Sequence, residues 1–405
     1  MSIPLSQPPS YVGPVTSASG STISFSASSP AWTGSQWTYQ WTYANSGNVS
    51  GTTYYALIGP NPVALQGTVT TSSNSNVITG VGTLFQTGTT PVNAGDTLIV
   101  NGYSVFTVTG VSSDTSLTVS APANTGTNAT ISGLSASVSS ASTNPNEGRI
   151  YTILASDSNS ITLNLNGDTI ASVGAGTQIQ IIPYWTLGTL FPATAAGTAF
   201  TSSTSTKLAY LQTQVLIPDY TAAGINLAAP YFYYFSSANN RWQQYGVTGN
   251  ANDVILQPNG YVIVRNPAST PASTVTIQGN VPMTRTAVVL NNLTTGPQDN
   301  FAGIARPVDV TLNNLGLISS GVFQSSTSSK LAYIQDELLV FDNTTPVIFK
   351  AAGKFYYYMN GVWRLYGDSA DHGSDVIPAG TGFLIRKAKS NTGVTQFWQH
   401  TPTYN

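Results

Sequence analysis

The segment FYYYMNGVWRLY, residues 355 to 366, decides the fold class of this chain. Two runs of aromatic and β-branched residues, Phe355 to Tyr358 and Val362 to Tyr366, flank the pair Asn360-Gly361. Asn-Gly favours the tight hairpin turn that needs positive φ at both central residues. Another such pair stands at Asn101-Gly102, and apolar residues recur with period two along most of the chain. The sequence therefore predicts an all-β protein built from antiparallel strands.

The second half of the chain contains an internal repeat. Ser202 to Leu216 reads SSTSTKLAYLQTQVL, Ser325 to Leu339 reads SSTSSKLAYIQDELL, and Trp242 is matched by Trp363. Similarity at a nearly fixed offset indicates tandem copies of one folding unit.

Little helix is expected. One or two helical turns are predicted at Lys207 to Gln212 and at the matching Lys330 to Gln335. Each is preceded by Ser and Thr residues that are able to cap a helix.

Charge is scarce throughout the chain. Only 7% of residues are charged, and 13 Lys and Arg against 15 Asp and Glu give a net charge of −2. Such a surface lacks the basic field that phosphate backbones require, so nucleic-acid binding is excluded. No basic residue precedes Arg149, and Ser, Thr, Asn and Gly solvate the first third of the chain. We interpret this composition as that of an extracellular or cell-surface protein.

The first residues of the sequence and its hydropathy bear on the cellular location of the protein. The first residues, MSIPLSQPPSY, show neither the basic nor the apolar region of a signal peptide, so either the chain is cytoplasmic or a leader preceded Met1. No window approaches the roughly 18 apolar residues of a membrane helix, and we expect no membrane span. The absence of cysteine excludes disulfides and zinc–thiolate sites.

An aromatic stripe is the most suggestive binding feature. Trp37, Tyr39, Trp41 and Tyr43 alternate with polar residues, which on a strand would place four rings on one face. Such a face is able to stack on sugar rings. It is equally suited to a core or to a contact between subunits, because each ring buries about 150 to 250 Å².

The acidic cluster Asp368, Asp371 and Asp375 lies around His372. Carboxylates at this spacing could bind a hard cation such as Ca²⁺. The alternative is a solvated turn, because Asp side chains readily bond their own backbone. When Asp253 of the first copy is aligned with Asp375, the first copy carries less negative charge than the second over this stretch. We expect no cofactor other than Ca²⁺.

Catalysis is not expected. The chain has only two Glu, Glu147 and Glu337, which lie in different parts of the sequence, and it shows no Gly-x-Ser-x-Gly nucleophile motif. The sequence therefore predicts a protein that is not an enzyme.

Several stretches resemble a known family, the uncharacterised secreted β-proteins of verrucomicrobial bacteria. The residues that carry this resemblance are Glu147-Gly-Arg-Ile-Tyr-Thr-Ile153, Ile181 to Pro192, Gln298 to Phe301, Arg306 to Val310 and Ser374 to Phe383. The resemblance implies secretion and supplies no catalytic motif. The resemblance covers about Ser2 to Leu65 and then Glu147 to the end. Between these two blocks, Gly67 to Ala121 resembles a small β-module of phage tail-fibre and adhesin-like proteins, carried by Asn76 to Phe85, Ala94 to Ile99 and Ser113 to Thr118.

These observations predict tandem antiparallel β-sandwich or barrel-like modules with a small inserted β-domain. The expected units are residues 1–65 with 147–183, the insertion 66–146, repeat 1 (184–295) and repeat 2 (296–405). We expect an extracellular structural protein that assembles with copies of itself into a filament or surface layer through strand edges and aromatic faces. The alternative is a carbohydrate-binding adhesin or a phage tail-fibre-like receptor-binding protein whose partners are surface glycans.

Overall fold

The computed structural model describes residues 1–26, 32–37, 52–100, 104–120, 130–140, 144–192, 200–267, 275–304, 306–342 and 352–400. The chain is nearly all β, with 40% strand and 4% helix. Several antiparallel sheets, a six-stranded barrel and a curled half-barrel are present, which confirms the predicted fold class. Strands are numbered below in chain order.

Two separated segments of the chain close the barrel together. Its strands, in barrel order, are β1 (Tyr11–Ser19), β14 (Gln178–Pro183), β3 (Tyr54–Ile58), β12 (Ile150–Ser156), β13 (Ser160–Leu163) and β2 (Thr22–Phe25). Ala56 of β3 faces Tyr151 on one side and Ile181 on the other. Because side chains alternate along a strand, Ala56 points into the barrel core while Tyr55 and Leu57 point outward into a separate apolar cluster.

The residues between these two segments form an eight-stranded sheet with its own core. The strands, in sheet order, are β10 (Ile131–Leu134), β5 (Thr68–Thr71), β6 (Val77–Val81), β9 (Ser116–Val119), β8 (Ser104–Ser113), β7 (Thr97–Val100), β11 (Ala136–Ser139) and β4 (Val63–Ala64). Phe85, Leu98 and Leu117 are completely buried inside it.

Repeat 1 contains a four-stranded sheet. Its order is β17 (Arg241–Gln244), β16 (Tyr231–Ser236), β15 (Gln214–Ile217) and β18 (Ile263–Arg265). Trp242 is buried at the centre of its core, where the indole nitrogen donates to the carbonyl of Phe191 at 2.9 Å.

Repeat 2 has the same strand order with one strand more. Its sheet runs β24 (Val362–Leu365), β23 (Lys354–Met359), β22 (Glu337–Val340), β26 (Gly382–Lys387) and β20 (Gln298–Gly303). Two short ladders complete the unit, β19 (Thr286–Leu290) with β27 (Gln396–His400) and β21 (Val310–Thr311) with β25 (Val376–Ile377). Trp363 is as deeply buried as its counterpart Trp242.

The hairpin expected from the opening segment is present. Met359 pairs with Val362 across the turn, and Asn360 and Gly361 have φ values of 54° and 81°. These are the left-handed conformations that Asn-Gly accepts at little cost. Asn101-Gly102 lies outside the described residues, although β7 and β8 on either side of it pair with each other.

Helical turns in the described residues are short. The predicted turns form as 3₁₀ helices at Leu208–Tyr210 and Leu331–Tyr333, without a side-chain cap at either first residue. The expected caps are therefore wrong in detail: Ser205 and Ser328 instead accept a hydrogen bond from the following lysine nitrogen at 3.2 Å. The α-helix α1 (Leu187–Leu190) and a 3₁₀ turn at Leu312–Asn314 were not expected.

Main-chain hydrogen bonds correct one alignment between the repeats. The nitrogen of Leu187 donates to the carbonyl of Val254, and the nitrogen of Leu312 donates to the carbonyl of Asp375, both at 3.0 Å. Asp375 therefore occupies the place of Val254 and not that of Asp253. Sequence similarity misplaced it by one residue because a neighbouring loop differs in length between the copies.

Candidate functional site

Trp37 of the aromatic stripe belongs to the barrel core. It lies in a turn and not on a strand, and 5% of its surface is exposed. Its ring packs edge-on against Trp32 and Tyr54, with centroid distances of 5.8 and 5.1 Å. This ring is therefore not part of an exposed face. The other members of the stripe, Tyr39, Trp41 and Tyr43, lie outside the described residues.

The acidic cluster is a hydrogen-bonded turn. An oxygen of Asp371 accepts from the nitrogen of Gly373 at 2.8 Å, and an oxygen of Asp368 accepts from that of Ala370 at 2.9 Å. Asp375 accepts from the hydroxyl of Tyr356 at 2.7 Å and lies 3.1 Å from the His372 ring. Asp368 and Asp371 are thus bound to the backbone of their own loop, as in the solvated-turn alternative, whereas Asp375 also binds Tyr356 of β23.

Hydrogen bonds in this turn favour the ionised form of Asp375. Burial opposes ionisation of Asp375, but the hydrogen bonds from Tyr356 and His372 outweigh it and hold the carboxyl pKa below its ordinary value. Burial and then Asp375 raise the pKa of Tyr356. Among the described residues, no group of three or more His, Asp or Glu side chains is arranged to hold a metal ion. Binding of Ca²⁺ by Asp368, Asp371 and Asp375 stays a prediction.

The Glu147–Ile153 stretch joins three parts of the molecule. The buried carboxylate of Glu147 accepts from the hydroxyls of Thr97 and Ser139, on neighbouring strands of the eight-stranded sheet, at 2.9 and 3.1 Å. Burial raises its pKa. Arg149 pairs with Asp168 of the barrel segment at 2.7 Å and covers the Phe397 ring of repeat 2 at 3.7 Å. These contacts give the stretch a structural role.

The duplicated segments form two nearly identical exposed turns. We call them turn 1 (Lys207–Tyr210) and turn 2 (Lys330–Tyr333). The nitrogen of Tyr210 donates to the carbonyl of Lys207 at 2.9 Å, and that of Tyr333 donates to the carbonyl of Lys330 at 2.8 Å. All four residues of each turn are exposed.

Buried serines hold both turns against their sheets. Ser203 accepts from the nitrogen of Gln212 at 2.9 Å, and Ser326 accepts from that of Gln335 at the same distance. The amide of each glutamine donates to the carbonyl of the exposed tyrosine of its turn, at 3.2 and 3.3 Å. The turns are therefore fixed by internal hydrogen bonds and present their side chains to solvent.

Large apolar side chains project from both turns. The exposed fractions are 47% and 63% for Leu208 and Tyr210, and 57% and 60% for Leu331 and Tyr333. Single exposed apolar residues are ordinary on protein surfaces. Here, however, a Leu and a Tyr are exposed at the same positions of both copies. None of these four side chains packs into a core that the described residues form.

Sequence reasoning predicted these turns as helical but did not predict that their apolar side chains are exposed. The signal was present, because ten of the fifteen positions in the two segments are identical and include all of Lys-Leu-Ala-Tyr. Exposure was the missing information, since the same pattern is compatible with a buried helical face.

Comparison with protein-family models, curated proteins and solved structures finds no match to this chain. No helix within the described ranges is long and apolar enough to cross a membrane. The two turns are therefore interpreted from their own geometry.

Proposed function

We propose that this chain is an extracellular structural protein, without catalytic activity, that assembles with copies of itself. The observation that carries the proposal is the pair of rigid, exposed Leu-Ala-Tyr turns, one in each repeat. Two equivalent contact elements on one molecule allow it to touch two neighbours, which is the requirement for a filament or a layer.

The energetics of the turns suit weak contacts that are repeated many times. Complete burial of a Leu or an aromatic side chain contributes about 1.5 to 3 kcal/mol, so a half-exposed one contributes roughly 1 kcal/mol when covered. A single turn would therefore bind weakly. Two turns held on one chain raise the effective concentration of the second contact, so that an assembly is stable although each contact is not.

Low charge supports the same proposal. Turn 1 and turn 2 carry one Lys each, and the whole chain has a net charge of only −2. Copies of the chain therefore repel each other little. Strand edges would add to such contacts, but β17 and β24 at the outer edges of the repeat sheets each carry an Arg, which protects an edge from pairing. This favours the turns as the main contacts.

Light scattering and electron microscopy of the purified chain test the proposal. We expect concentration-dependent ordered assemblies. The fourfold variant Leu208→Ser, Tyr210→Ser, Leu331→Ser, Tyr333→Ser should raise the concentration needed for assembly by about tenfold or more, the loss expected when exposed contact side chains are truncated.

The matched control is Val81→Ser with Val394→Ser, two exposed apolar residues outside the turns. This variant should assemble like the parent chain. A parent that stays monomeric at about 1 mM, a concentration at which even weak contacts form, contradicts the proposal. Equal losses in the two variants also contradict it, because the effect would then be one of general surface hydrophobicity.

A further inference from the structure

A groove lies between the outer wall of the barrel and repeat 1. Its volume is about 240 Å³. Strands β1, β3 and β14 form one wall through Val12, Tyr55 and Gln180, and the other wall includes residues 3–6, 256–259 and 280–284. The outward-facing side chains of the barrel therefore line a concave, partly apolar groove. Small ligands usually bind in grooves of this kind.

Four side-chain amides line this groove without using their hydrogen-bonding groups. Gln180, Gln257, Asn259 and Asn280 all face it, and none of these amides forms a hydrogen bond with a described residue. A carboxamide carries two N–H donors and a carbonyl oxygen with two acceptor lone pairs. The groove thus offers donors and acceptors in equal measure.

The Tyr55 side chain also lines the groove. Only 4% of this residue is exposed, and its ring packs against Tyr184 at a centroid distance of 4.8 Å. The hydroxyl of Tyr184 is paired with Thr152 at 2.7 Å, whereas that of Tyr55 has no hydrogen-bond partner among the described residues. The Tyr55 hydroxyl is therefore free to donate to, and accept from, a ligand in the groove.

The lining determines the class of ligand. None of the described residues that line the groove is charged, so nothing there balances a phosphate, a carboxylate or a cation. A peptide has no strand edge to pair with at the barrel wall, because β1, β3 and β14 each have a neighbouring strand on both sides. The ligand must therefore be neutral and must be bound through side-chain amides and apolar contacts.

We propose that this groove binds a neutral carbohydrate. Sugar hydroxyls donate and accept, as the four amides and Tyr55 do. The apolar faces of a sugar ring pack on apolar and aromatic surface, which Trp185 and Met283 supply. The indole nitrogen of Trp185 donates to the carbonyl of Leu5 at 2.9 Å, which fixes the orientation of its ring. This site is separate from turn 1 and turn 2 and does not depend on self-assembly.

Titration calorimetry with hexasaccharides tests this inference. The probes are the neutral hexamers cellohexaose, maltohexaose, laminarihexaose and chitohexaose, with acidic hexagalacturonate as the contrast. At least one neutral hexamer should bind, and hexagalacturonate should not. Tyr55→Phe and the double variant Gln257→Ala, Asn280→Ala should each raise the dissociation constant by about tenfold, as the loss of buried polar contacts does.

The matched control is Tyr184→Phe, which removes a neighbouring hydroxyl that does not line the groove and should leave the dissociation constant unchanged. Tyr55→Phe should melt no lower than the parent, since it removes an unpaired group. The inference is overturned if no neutral hexamer binds below about 5 mM, a very weak affinity. It is equally overturned if the variants bind like the parent. The fourfold turn variant should still bind, which separates this site from assembly.

Discussion

The two repeats share a strand order but stabilise equivalent positions by different chemistry. In repeat 1, buried Thr213 donates from its hydroxyl to the side chain of Asn266 at 2.9 Å. At the same place in repeat 2, buried Asp336 forms an ion pair with Lys387 and accepts from the nitrogen of Ala388 at 2.8 Å. The comparison teaches that the backbone pattern accepts either a neutral hydrogen-bonded pair or an ion pair at this position, where the buried polar side chains are paired in both repeats.

The outer strand of the sheet also differs between the repeats. In repeat 2, Gly303 of β20 pairs with Gly382. In repeat 1, Ser2 pairs with Tyr261 at the corresponding place, and Ile3 joins the core of that repeat. A strand that is local in one copy is thus supplied in the other copy by residues about 260 positions away in the chain. Similar sheets are completed by contacts of very different sequence separation.

The largest expected difference between the repeats concerns the ion pair. Lys387→Met leaves Asp336 charged and buried, and we expect it to lower the free energy of unfolding by about 3 to 5 kcal/mol. Thr213→Val in repeat 1 removes only neutral hydrogen bonds and should cost about 1 to 2 kcal/mol. Urea unfolding followed by tryptophan fluorescence measures both. Equal losses in the free energy of unfolding would show that the neutral pair and the ion pair stabilise their repeats equally.

Acid should affect repeat 2 through His400, because both histidines of the chain lie there. Burial and then the Arg306 guanidinium lower the pKa of His400 to about 3. The unfolded chain therefore binds a proton at higher pH than the folded one, and stability falls from about pH 6.5 downward by roughly 1.4 kcal/mol per pH unit, or about 3 kcal/mol at pH 4. His400→Phe should flatten this dependence in pH-dependent unfolding. A parent and variant with the same slope would exclude His400 as its source.

The smallest expected effect tests the equivalence of the outer strands. Ile3→Val and Ile304→Val each remove one buried methylene, and each should cost about 1 kcal/mol. Similar losses in thermal unfolding would support the assignment of Met1–Ile3 to the place of β20. A negligible loss for Ile3→Val alone would show that the N-terminal residues only lie against the sheet.

Local patterns made much of the fold predictable. The Asn360-Gly361 hairpin formed as expected because its turn conformation depends on two adjacent residues. The position of Trp37 was harder to predict, because an alternating run indicates a strand, whereas Trp37 lies in a turn. The helical conformation of turn 1 was predicted, but the exposure of its side chains was not, because exposure depends on which side chains the rest of the chain covers. The groove around Tyr55 left no sequence signal, since its residues come from six separate segments of the chain.

By itself, the sequence determined that this chain is all-β and that it contains two copies of one module. Both properties follow from periodicity and turn chemistry over a few residues. Only the tertiary structure decided that Trp37 is buried, that Leu208 and Tyr210 are exposed, and that Met1–Ile3 completes repeat 1. The physical reason is that burial and strand pairing join residues far apart in the chain, and no local pattern specifies which distant segment will cover a given side chain.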